Sequence, residues 1–105
     1  MPENTISAVV FQEGKWWIIL GLEFYFVALA RRREDAPYEL QRWLLSLAYA
    51  SRQHSIELFH GYRPAPRKYW RLFEEATPWE EPVPAFEFPR ELDFNPTIEL
   101  RLAQT

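Results

Sequence analysis

Arg63, Arg67, Lys68 and Arg71 are interleaved with Tyr62, Tyr69 and Trp70, and Arg31-Arg32-Arg33 forms a second basic cluster. Cations that neutralise phosphate, set beside flat rings on which bases stack, are what single-stranded nucleic acid requires of a protein surface. The same residues have a plainer reading. Arg31 to Arg33 can simply end a strand, and Arg67, Lys68 and Arg71 can be the wet side of a helix whose Trp70 and Phe73 face the core. A net charge of −3 supplies no general attraction to a phosphate backbone. Binding of nucleic acid through these residues is therefore the less favoured of the two readings.

His54, Glu57 and His60 follow one another at i, i+3 and i+6, the residue types of a two-histidine, one-carboxylate metal set. On a helix, His54 and His60 would lie on well-separated faces, so two surface or loop histidines are the simpler expectation. Gly14, Gly21 and Gly61 are the only glycines and are scattered, which leaves no glycine-rich phosphate loop or dinucleotide fingerprint. There is no Ser-His-acid arrangement and no cysteine, hence no thiolate nucleophile, no disulfide frame and no thiolate zinc site. No catalytic residue, metal or cofactor is expected.

The elements that would hold such residues can be read in order. Ile6 to Gln12 is rich in β-branched residues, and a Gln12-Glu13-Gly14-Lys15 turn joins it to Trp16-Trp17-Ile18-Ile19-Leu20, which predicts a hairpin. Beyond Gly21 the apolar run Phe24 to Ala30 predicts a third strand and a meander. Asp35 is placed to cap a helix with Pro37 in its first turn. Leu40, Trp43, Leu44 and Leu47 then recur at the spacing of one helical face. Without Gly or Pro between Pro37 and Gly61, that helix has room to extend towards Phe59, although Ser51 to Ser55 are weaker helix formers that do not favour the extension. Pro66 opens a short second helix with Tyr69, Trp70, Phe73 and Ala76 as its apolar stripe and Pro78 as its stop. Residues 78–96 carry five prolines among Trp79, Val83, Phe86, Phe88, Leu92 and Phe94, the pattern of an extended strap that docks on a surface. Residues 97–103 alternate as a late strand does. The 105 residues suffice for one domain around one core. The expected class is α+β: a three-stranded antiparallel meander and a C-terminal strand, packed by one long and one short helix.

Trp16 to Leu20 and Phe24 to Ala30 are apolar on both parities, whereas a strand with one wet face alternates. Both sides of the sheet therefore need cover. Since one helix pair does not easily shield two faces, the second cover is expected to be the strap, another copy of the chain, or a different protein. Trp16, Trp17, Phe24 and Phe26 are the candidate self-association residues, and a homodimer is the expected assembly. Trp16 and Trp17 must point to opposite faces if they share a strand.

Several of these segments together resemble the HicB-like antitoxin family of bacterial toxin-antitoxin systems. They are Ile6 to Phe11 with Gly14 to Ile18, the Gly21-Leu22-Glu23 break, Ala28 to Arg31, Asp35 to Leu40, and Gly61 to Pro66. The resemblance spans roughly the first two-thirds of the chain. It implies a partial ribonuclease-H-like sheet completed by the late strand, and a non-catalytic module that binds a partner such as a small basic toxin-like protein. Many members append a DNA-binding domain; none is expected within the residues up to Thr105, and what the resemblance implies for them is the toxin-neutralising half. The same fold raises two-metal nuclease chemistry, which needs converging carboxylates. The central strands offer only Glu23; Asp35, Glu39 and Glu57 fall on or near helices, and Glu74, Glu75, Glu80 and Glu81 read as solvated charge. The N-terminal residues lack the pattern of a signal peptide, and the apolar stretch from Trp16 to Ala30 is too short and interrupted to span a bilayer. A soluble, cytoplasmic protein without membrane contact is the expectation.

Overall fold

The computed structural model describes residues 5–83 and 88–104; Pro84 and Phe86 of the expected strap lie outside them. Strand β1 (Thr5–Glu13) turns at Gly14, whose φ of +62° is the left-handed value a tight hairpin needs, into β2 (Trp16–Gly21). The two pair antiparallel with Val10 opposite Ile19 and Glu13 opposite Trp16.

The third strand starts later than its apolar run predicts. β3 is Val27–Ala30, and Phe24 to Phe26 belong to the connection. Backbone and side-chain bonds from outside the ladder explain this. The Gly21 N–H donates to the Phe26 carbonyl (2.9 Å) and the Tyr25 N–H to the Arg63 carbonyl (2.7 Å). Glu23 folds back so that its carboxylate accepts from the Ser7 N–H (2.7 Å) and the Ser7 hydroxyl (2.6 Å). Phe24 meanwhile stacks on Phe59 with ring centres 3.9 Å apart. These contacts hold a bend where hydrophobicity alone would draw a strand.

Helix α1 (Ala36–Gln53) follows a 3-10 turn at Arg33–Asp35. Asp35 occupies the cap position but makes no side-chain cap bond. Its carboxylate instead accepts from the Arg32 guanidinium (3.1 Å), and that bond, with the adjacent negative charges, pushes the Arg32 pKa still higher. The helix stops at Gln53 rather than extending to Phe59. His54 closes it, Ser55 takes a left-handed φ of 53°, and the Ser51 hydroxyl donates to the Ile56 carbonyl, the kind of local bond that competes with helix.

Helix α2 (Arg67–Glu75) starts after Pro66, and the chain is already extended at Ala76. Thr77–Pro78 forms a short strand, β4, that the sequence did not announce. The late strand, β5 (Thr97–Leu102), inserts between β4 and β1. It runs parallel to β1, with Ile6 opposite Ile98 and Val10 opposite Leu102. The sheet is mixed, in the order β3-β2-β1-β5-β4, and the fold is α+β.

The helices divide the labour by face. On one side Ile6, Ala8, Val10, Ile19, Ala28 and Leu100 pack under Leu40, Leu44 and Ala48 of α1 and under Phe94 of the strap. On the other, Val9 and Leu20 pack with Phe73 of α2, Ala65 and Ala103. Each helix takes one face, α2 covering the second only in part, and the described part of the strap joins α1 rather than the second face. Consecutive apolar residues in β1 and β2 are both needed because each parity has its own cover.

Candidate interaction surface

The cover on the α2 face is incomplete. α2 lies against β1, and the Arg101 guanidinium of β5 sits 4.1 Å from the Phe73 ring centre while donating to the Phe73 carbonyl (3.0 Å). That placement leaves the β2–β3 end of the same face open. Trp16 is 42% exposed, Tyr25 40%, Val27 46% and Leu29 45%, large apolar side chains on one side of a sheet where the interleaved Ala28 and Ala30 are buried.

Register makes the exposed residues contiguous. Leu29 stands opposite Ile18, which stands opposite Phe11, and Val27 stands opposite Leu20. Phe11 stacks towards Tyr69 at 6.4 Å, and Tyr69 lies 6.0 Å from Tyr25. Two cations rim this surface: Arg31 lies over the Trp16 ring at 5.5 Å and Lys68 over the Tyr69 ring at 4.9 Å, distances at which a ring face attracts positive charge.

The strand that carries Val27 and Leu29 is also the edge of the sheet. In an antiparallel ladder, residues alternate between pairs that exchange hydrogen bonds and pairs whose backbone groups point away from each other. The Gly21–Phe26 bond and the register fix the phase: Ala28 and Ala30 bond to β2, and the N–H and C=O groups of Val27 and Leu29 point outward. Among the described residues no segment pairs with that outer side beyond Tyr25. A cleft of about 590 Å³ runs beside it, between Val27–Leu29 and the Glu39, Arg42 and Trp43 side of α1.

Of the residues singled out by the sequence, Trp16 alone among the aromatic four is on the surface. Trp17 packs against the α1-side core, Phe26 stacks on Trp43 at 4.1 Å, and Phe24 stacks on Phe59; these three are occupied within the chain. In the basic clusters, Arg32 pairs with Asp35 (3.1 Å) and Arg33 with Glu81 (3.0 Å), so those two are partnered. Arg63, Arg67, Lys68 and Arg71 are all exposed, and among the described residues none forms an ion pair. His54, Glu57 and His60 fall beyond the end of α1 and share no helix. No cluster of three or more metal-type side chains occurs among the described residues. Glu23, just beyond the end of β2, is held by Ser7. No helix among the described residues is long and apolar enough to cross a membrane.

Val27, Leu29 and Tyr25 were not foreseen as surface residues. A faint signal exists in Val27-Ala28-Leu29-Ala30, where large and small apolar residues alternate: alanine lets α1 approach closely, and the bulky residues are then the ones left outside. No family model, curated protein or solved structure matches the chain. The class that the geometry defines is an α+β protein with a half-covered five-stranded sheet and one unguarded edge.

Proposed function

We propose that this protein is a non-catalytic interaction module of the cytoplasm that, like the HicB-like antitoxins it resembles, binds and neutralises or regulates a partner protein. One observation carries the reading: Trp16, Tyr25, Val27 and Leu29 form an exposed apolar surface on a sheet whose opposite face is covered by α1. Monomeric proteins seldom leave contiguous apolar patches bare, and those that are bare tend to be binding sites. Aromatic anchors with an arginine beside them are the residues that dominate binding energy in protein interfaces.

Affinity capture from a native lysate, with wild type and with Trp16→Ser run in parallel, tests this. A single small basic protein retained by the wild type and lost from the folded variant is the expected result. The same proteins retained by both would refute it.

A second reading rests on the carboxylate-free cations Arg63, Arg67, Lys68 and Arg71, one of which lies over the Tyr69 ring. Single-stranded nucleic acid is the ligand that such a surface suits. If it is bound, affinity falls steeply with salt; an affinity that stays flat between low and moderate ionic strength removes this alternative.

A further inference from the structure

We infer that the free edge of β3 pairs with β3 of a second copy, the two strands running antiparallel about a twofold axis at Ala28, with Val27 of each chain opposite Leu29 of the partner subunit. The inference rests on the interaction-module reading of this surface and names one occupant and its register.

The backbone selects that register. The groups pointing outward belong to Val27 and Leu29, and an axis at Ala28 sets each against the other so that both residues exchange N–H and C=O with the partner. An axis at Val27 would place Leu29 against Tyr25 of the partner subunit, whose N–H is already taken by the Arg63 carbonyl. An axis at Leu29 would place Val27 against Arg31 of the partner subunit, beyond the end of the strand. Only the Ala28 axis uses every free group of the short strand.

Side chains agree with the backbone. On the exposed face each Val27 would meet the partner's Leu29, an apolar cross-strand pair where both are now half in water. On the α1 face the axis brings together two Ala28 side chains, small enough for the close approach of a non-hydrogen-bonded pair. One step outward the pairing stops, because the outer side of Tyr25 is already taken by the Arg63 carbonyl. The α1 rim of the cleft is electrically self-compensated, because Arg42 pairs with Glu39 at 2.8 Å, so two copies meet there without like-charge repulsion. The cleft gives the incoming backbone room beside the edge.

The two edges of the sheet differ in a way that points to the same use. Natural edge strands are guarded by brevity, proline, charge or bulges. β4 is two residues long and ends in Pro78. Val27–Ala30 is apolar throughout, with no proline and no charge.

Light scattering after gel filtration of the full chain tests the pairing. Wild type at micromolar concentration should elute with the mass of a dimer, and Leu29→Lys and Val27→Glu should each halve that mass. Both positions are exposed, so the far-UV circular dichroism of the single variants should match wild type. The double variant Val27→Glu/Leu29→Lys sets opposite charges across the strand pair and should restore the dimer mass. A monomeric wild type, single variants that stay dimeric, or a double variant that stays monomeric would each overturn the pairing. The broader reading is separable: a monomeric wild type that captures a protein lost by Leu29→Lys overturns self-pairing and upholds the interaction module. A dimer broken and restored as described upholds the pairing even if lysate capture yields nothing.

Discussion

Gly21 is the residue on which the route of the chain between β2 and β3 depends most directly. A Cβ at that position would run into the Phe26 ring and the Phe24 carbonyl oxygen, and Phe26 is itself wedged against Trp43. Gly21→Ala is expected to destabilise the protein by about 1–3 kcal/mol, the usual cost of overpacking a filled site. Urea unfolding at equilibrium measures it, and a midpoint equal to that of wild type would show that the bend can open without loss. The sequence marked Gly21 as a break but not its reason, since the partner ring sits five positions downstream and meets it only after the bend has formed. Glu23 shows a related limit. The sequence offers it as the one carboxylate expected in the central strands, too few for a metal pair, and in the fold its oxygens take up the N–H and hydroxyl of Ser7. Residue type limited what Glu23 could do; its neighbour decided what it does.

Within a single strand, β3, the two parities face different surroundings. Ala28 and Ala30 are buried under α1 while Val27 and Leu29 are exposed on the other side. Enlarging the inward residue should therefore strain the α1 packing, whereas changing the outward one should not. Ala28→Val is expected to cost about 1–3 kcal/mol by overpacking. Leu29→Thr, measured at protein concentrations low enough to exclude association, should stay within about 0.5 kcal/mol of wild type, as exposed positions usually do. Equal effects of the two would mean that both faces of β3 are buried in the isolated chain. Most elements were legible beforehand. The hairpin followed from β-branched runs around Gly14, α1 from Leu40, Trp43, Leu44 and Leu47, and β5 from its alternation. Their ends were less so. β3 begins at Val27 rather than Phe24 because the bonds that tie Tyr25 to Arg63 and Glu23 to Ser7 join residues far apart in the chain, whereas α1 ends at Gln53 beside a local bond from the Ser51 hydroxyl to the Ile56 carbonyl, in a stretch of weaker helix formers. β4, two residues paired with β5, has no periodicity to detect.

At the scale of the whole molecule, the protein is a sheet with one covered face, one half-covered face, one guarded edge and one open edge. Association through the open edge would link folding to concentration, since whatever binds only the folded chain stabilises it by mass action. The melting temperature of wild type is thus expected to rise with protein concentration, and that of Leu29→Lys to stay constant; scanning calorimetry over a hundredfold concentration range distinguishes the two, and a constant wild-type value would argue against self-association. By itself the sequence determined the α+β class, the meander, the two helices and the need for apolar cover on both sheet faces, because period and residue type act over a few neighbouring positions. Only the tertiary structure decided that α2 takes the second face, that Trp17, Phe24 and Phe26 turn inward while Trp16 stays out, and that β3 is an edge. Those outcomes depend on which distant elements meet, and strand order is set by the insertion of β5 beside β1, far along the chain from the residues whose exposure it fixes.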